Sequence, residues 1–200
     1  MRSSEVVRSA LTEVSATLRA VLGDPTLLEA VDRFVELAHA ALSHDGRLMV
    51  CGNGGSMAQA MHFAEEWTGR FRADRGPLPA MAFSDPAVLS CIANDFGYDE
   101  VFARQLGAHG RPGDLLVLLS TSGGSTNLVR AVEEARALRV ATVGLLGRGG
   151  GKLLDCVDVA IVVPHATKPD RVQEIHAMLL HAVTEAVERR IAPHLYEPGR

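Results

Sequence analysis

The run Leu115-Leu-Val-Leu-Leu119 is apolar at every position, so a strand made from it has no face suited to water. Such a strand belongs inside a parallel sheet with both faces covered. A second run of this kind, Val140-Ala-Thr-Val-Gly-Leu-Leu146, follows a helical segment from Asn127 to Leu138. Arg47-Leu-Met-Val-Cys51 and Ala80-Met-Ala-Phe83 precede them as strand candidates, and Val157 to Val163 follows. Parallel neighbours require long crossovers, and the segments between these runs have a helical period. The alternation therefore predicts an α/β fold, a doubly wound and mostly parallel sheet flanked by helices.

Two helices come before any strand. Val6, Val7, Leu11, Val14, Leu18 and Val21 mark one from about Ser4 to Val21, and Leu28, Val31, Val35, Ala38 and Leu42 mark another from Pro25 to Leu42. Such a pair packs on a neighbour, within the domain or across an oligomer interface, and is assigned to assembly. A turn, Arg70-Phe-Arg-Ala-Asp-Arg-Gly-Pro77, ends the helix after the first strand, and Asp85-Pro86 opens the next, which Asn94-Asp95-Phe-Gly97 closes. Asp99 to Ala108 reads as a further short helix, and a long helix from about Asp170 to Ile191 closes the chain. The 200 residues are read as one domain spanning 1–200. A formal net charge of −4 provides no basic footprint, which argues against nucleic acid as a partner. Charges interrupt the first residues and no apolar stretch approaches spanning length, so the expected location is the cytoplasm, with no membrane partner. Cys51, Cys91 and Cys156 lack zinc or redox spacing and read as small buried hydrophobes.

Chemistry concentrates in three places. Cys51-Gly-Asn-Gly-Gly-Ser56 joins the first strand to a helix, with Ser56 expected as the cap, so that backbone N–H groups at a helix start meet an anion or a sugar oxygen. In that helix His62 and Glu66 share a face, with Glu65 beside them, an arrangement for a divalent metal or for proton transfer. Ser120-Thr-Ser-Gly-Gly-Ser125 puts four hydroxyls at the end of a central strand, where open α/β sheets bind ligands, and suits a phosphate without being a nucleotide P-loop. The last helix carries Arg171, Gln173, Glu174, His176 and His181 among apolar residues. Asn94 and Asp95 read equally as helix-end residues and as partners for sugar hydroxyls.

These segments, with Met61-His-Phe-Ala-Glu-Glu66, Arg111-Pro-Gly-Asp114 and Arg171-Val-Gln-Glu-Ile-His176, resemble the phosphoheptose isomerases of the sugar isomerase (SIS) domain superfamily, from the N-terminal helices to about Arg190. The resemblance implies interconversion of sedoheptulose 7-phosphate and glycero-manno-heptose 7-phosphate by a zinc-binding homotetramer with active sites at subunit interfaces. It implies zinc ligands at His62, Glu66, Gln173 and His181, with Glu66 as base and His181 as acid. It implies substrate contacts at Asn53, Gly54, Gly55, Ser56, Glu66, Asn94, Asp95, Ser120, Thr121, Ser122, Ser125 and Gln173. Met57 and Gln59 stand where many members of the family have a small or polar residue and an acid, and Gly124 stands where Asn is usual, a change expected to loosen the phosphate loop. The rival readings are a noncatalytic SIS-domain regulator that senses a phosphosugar, an adaptor for the replication initiator, and an isomerase of shorter phosphosugars.

Overall fold

The computed structural model describes residues 2–72, 74–166 and 168–196; the ends of the expected 1–200 span and Ala73 of the charged turn lie outside the described residues. Five strands form one sheet: β1 (Leu48–Gly52), β2 (Ala80–Ala82), β3 (Leu115–Ser120), β4 (Ala141–Leu146) and β5 (Val159–Val162), in the order β2-β1-β3-β4-β5. Every neighbouring pair is parallel. The helices are α1 (Ser3–Leu22), α2 (Pro25–Ser43), α3 (Gly55–Thr68), α4 (Pro86–Phe96), α5 (Ala103–His109), α6 (Thr126–Leu138) and α7 (Pro169–Ile191).

The pleat divides the core. Leu48 and Val50 of β1 join Leu115, Val117 and Leu119 of β3 in a cluster with Phe34, Phe63, Trp67 and Val183, which come from α2, α3 and α7. The alternate residues, Met49 and Cys51 with Leu116 and Leu118, pack instead with Phe102, Leu106, Leu128 and Ala131 from the side of α5 and α6. All six residues of β3 are buried, which is why the run carries no polar alternation.

After β1 the chain turns outward to make β2, then crosses back to lay β3 on the other side of β1. That reversal of winding is a topological switch, and it opens a crevice at the carboxyl ends of β1 and β3. Gly52 pairs with Leu119, so the residues following each strand emerge side by side.

Several boundaries differ from expectation. β5 begins at Val159 because Asp158 pairs by its side chain, its Oδ2 accepting from Thr142 N at 2.8 Å and Thr142 Oγ1 at 2.7 Å. The helix expected from Asp99 to Ala108 divides into a 3-10 turn at Tyr98–Glu100 and α5. Cys91 is exposed, not a buried hydrophobe, because α4 lies at the surface and buries no residue fully. α1 packs on α7 yet leaves Val6, Val7 and Leu11 exposed. No helix among the described residues is long and apolar enough to cross a membrane.

Candidate active site

The glycine turn after β1 reaches the helix two residues earlier than expected. Gly54, at φ +56°, is the residue before the first turn of α3, and Ser56 lies buried inside that turn rather than capping it. A left-handed φ at the capping position favours glycine, so the helix start presents bare backbone to the crevice. Asn53, just before it, is locked by Asn127 of α6 in a reciprocal amide pair of 3.0 and 2.9 Å, and Asn53 Oδ1 also accepts from Tyr98 Oη at 3.0 Å. With its oxygen doubly engaged, Asn53 has an N–H left to donate toward the crevice.

The loop after β3 is held from below. Ser120 is buried and its Oγ accepts from Gly123 N at 2.9 Å, while Gly123 O accepts from Leu153 N at 2.9 Å. Gly123 has φ +64°, and a Cβ there would stand 1.8 Å from Gly150 O. The turn containing Gly150 thus wedges the loop. Ser122 is exposed and Thr121 and Ser125 are half-buried; the Ser125 side chain does not cap α6, leaving its hydroxyl for other partners.

Further along, α3 and α7 bring three ligand atoms together. His62 Nε2 lies 2.9 Å from His181 Nε2 and 3.4 Å from Glu66 Oε1, which is 3.9 Å from His181 Nε2. These separations bracket the edge of a tetrahedron around a zinc-sized ion, about 3.3 Å for bonds near 2.0 Å. His62 Nδ1 faces Glu65 Oε1 at 3.4 Å, a partner that would keep the proton on Nδ1 and the lone pair on Nε2. The donor set therefore suits a divalent metal. Gln173, in the first turns of α7, lies against the start of α3. Its Nε2 is 3.5 Å from Ser56 Oγ, and its backbone O accepts from Gln59 Nε2 at 2.6 Å, while Gln59 Oε1 is buried without a partner among the described residues. Gln59 thus supplies a donor that an ionised carboxylate would lack.

Phe71 stacks on His181, with centroids 5.9 Å apart, and Arg72 pairs with Glu185 of α7 at 2.9 Å, so the turn after α3 covers the imidazole. Asn94 and Asp95 lie exposed in the last turn of α4; Asn94 Nδ2 donates to Asp95 Oδ1 at 2.7 Å, and neither bonds to another candidate residue among those described. His176, grouped with Gln173 from sequence, points into the core, its Nε2 3.4 Å from Leu146 O, and burial holds its pKa down at about 4. It is neutral and outside the cluster. Asn127, Tyr98 and Phe71 were not among the expected site residues.

The SIS domain family matches residues 11–147. The phosphoheptose isomerase of Edwardsiella ictaluri is 46% identical over 188 residues, covering 94% of this chain and 97% of that one. The chain belongs to the SIS-domain family of phosphoheptose isomerases. The relative from Aeromonas hydrophila is 44% identical over 94% of this chain and 98% of its own. Among solved structures, the phosphoheptose isomerase of Neisseria gonorrhoeae superposes with a TM-score of 0.87 at 37% identity, covering 94% of this chain and 99% of that one. That of Francisella tularensis gives 0.88 at 29% identity, over 94% and 100%. The parallel five-stranded sheet is thus the fold of these isomerases, and the chain is an isomerase of their kind.

Proposed function

We propose that this chain interconverts sedoheptulose 7-phosphate and D-glycero-D-manno-heptose 7-phosphate through an enediol. The observation that carries the reading is the approach of Glu66 and His181, from separate helices, to 3.9 Å. Both recorded approaches of Glu66 to the imidazoles use Oε1, so Oε2 remains to take a proton from C1 of the ketose and return it to C2. His181 passes the accompanying proton between the two oxygens, protonating the carbonyl oxygen at C2 as the hydroxyl at C1 loses its own. Asn53, Gly54, Gly55 and Ser56 meet the sugar oxygens, with Asn94 and Asp95 at the rim. Ser120, Thr121, Ser122 and Ser125 receive the phosphate, whose binding orients carbons remote from it. His62, Glu66, Gln173 and His181 would hold zinc, which when bound stabilises negative charge on the enediol oxygens.

The exposed Val6, Val7 and Leu11 of α1 support assembly into a homotetramer, with 1–200 as one SIS unit in each subunit. A doubly charged sugar phosphate does not cross membranes unaided, which supports a cytoplasmic location. A coupled assay on five- to seven-carbon ketose phosphates, with metal analysis of the same sample, tests the reading. The heptulose should be preferred, and Glu66→Gln and His181→Ala should each lose at least about a hundredfold in kcat. Equal rates for all three proteins would leave only a phosphosugar-binding regulator or adaptor.

A further inference from the structure

We infer that Arg75 is a positioning residue that fixes the backbone of Glu66 against α7. The inference rests on the reading of Glu66, His62 and His181 given above. From sequence Arg75 belongs to a charged turn, yet its side chain is 4% exposed and that of its partner, Glu188, is fully buried. Arg75 Nε donates to Glu188 Oε1 at 2.9 Å, and Tyr196 Oη donates to Glu188 Oε2. The other end of the guanidinium spreads over the end of α3: Nη2 donates to Glu66 O at 2.7 Å, and Nη1 to Trp67 O at 2.8 Å and to Gly76 O at 3.1 Å.

The last carbonyls of a helix lack intrahelical partners, and a cation there also suits the helix dipole. Gly69 N closes the ladder on Glu65 O at 2.7 Å, and one residue later a side chain from the following turn takes the Glu66 carbonyl instead. That carbonyl defines the peptide plane from which the Glu66 side chain departs. On α7, Glu188 follows His181 by two helical turns and shares its face. A closed frame results: the Glu66 side chain meets His181, the Glu66 backbone meets Arg75, and Arg75 meets Glu188 on the helix that carries His181. Buried ion pairs contribute little net stability compared with well-packed apolar residues, so stability alone gives no reason for a charge pair here. Holding three carbonyls and a carboxylate in one plane does, and only a guanidinium has that fork.

Two variants test this. Arg75→Lys keeps the charge without the fork, and the double variant Arg75→Met/Glu188→Met keeps the volume without either charge. We expect both to melt within a few degrees of wild type. The apparent zinc affinity of the metal-stripped protein should fall about tenfold, and kcat on sedoheptulose 7-phosphate about 10- to 100-fold with KM within about twofold. Wild-type zinc affinity and kcat in either folded variant would overturn the inference. If the double variant fails to fold, Arg75→Lys alone decides. A wild-type protein without turnover would sink the isomerase reading, while zinc titration would still report on the frame.

Discussion

Gly55 offers a substitution that separates stability from chemistry. It opens α3 with helical backbone, so alanine is compatible there and reduces the freedom of the unfolded chain, a gain of about 0.4–1 kcal/mol. In a chain of this length that raises the melting temperature by roughly 1–4 °C. The added Cβ, however, would stand 2.6 Å from Gln173 Nε2 and 3.0 Å from Gln173 Oε1, against an ordinary contact of 3.4 Å or more. The obstacle is the end of a flexible side chain, so the amide withdraws by about 1 Å while the helix stays. The hydrogen bond given up, at 3.5 Å to Ser56 Oγ, is long and offsets little. If Gln173 completes the site, a displacement of that size costs on the order of a hundredfold in turnover. Gly55→Ala should therefore melt at or above wild type, bind zinc more weakly in calorimetric titration, and lose most of its kcat on sedoheptulose 7-phosphate. A more stable protein with unchanged zinc affinity and kinetics would refute the placement of Gln173 in the site.

Gly123→Ala should do the opposite, because its Cβ meets the backbone at Gly150 and its φ is left-handed. We expect a loss of about 3 kcal/mol and a melting temperature lower by roughly 6–12 °C, with KM raised; an unchanged melting curve would show that the wedge yields. His176 ionises near 6.5 when unfolded and at about 4 in the buried native site, so between those values the unfolded chain binds more protons. Its contribution is constant above pH 6.5 and declines as pH falls to 4, by up to about 3 kcal/mol. Urea midpoints at pH 7 and pH 4.5 should draw closer together in His176→Leu; the same gap in both proteins would contradict this. Asn127→Leu frees the Asn53 amide to rotate and should lower kcat/KM about tenfold with little change in a metal titration, whereas unaltered kinetics would remove Asn127 from the site.

Local chemistry explains which parts were legible. β3 and β4 could be read because a strand covered on both faces has no polar alternation, and His62 with Glu66 because one helix turn brings them together. The meeting of His62 and His181 spans 119 residues, and no local pattern encodes it. The polar residues of the last helix suggested a partner for His62 and Glu66, but only the resemblance singled out His181. Asn127 was hidden because an amide in a first helical turn reads as a cap, and Arg75 because an arginine in a charged turn reads as solvated. Phe71 did leave a signal, an aromatic ring between two arginines, which a purely solvated turn does not require.

The crevice uses two ways of achieving precision. The loop after β3 is fixed by backbone against backbone, Gly123 on Gly150, with Ser120 tying the loop to itself. That limits the effect expected from Gly124. A Cβ at Gly124 would meet only Ser122 O and Oγ among the described residues, both at 4.0 Å, so a change there leaves the wedge beneath intact. Loosening is then confined to the exposed edge of the loop. The Glu66 and His181 end, by contrast, depends on side chains from two helices, with Arg75 and Glu188 joining the frames behind them. Phosphate affinity should therefore tolerate change at Gly124, while catalysis should be sensitive to displacements of about 1 Å between α3 and α7.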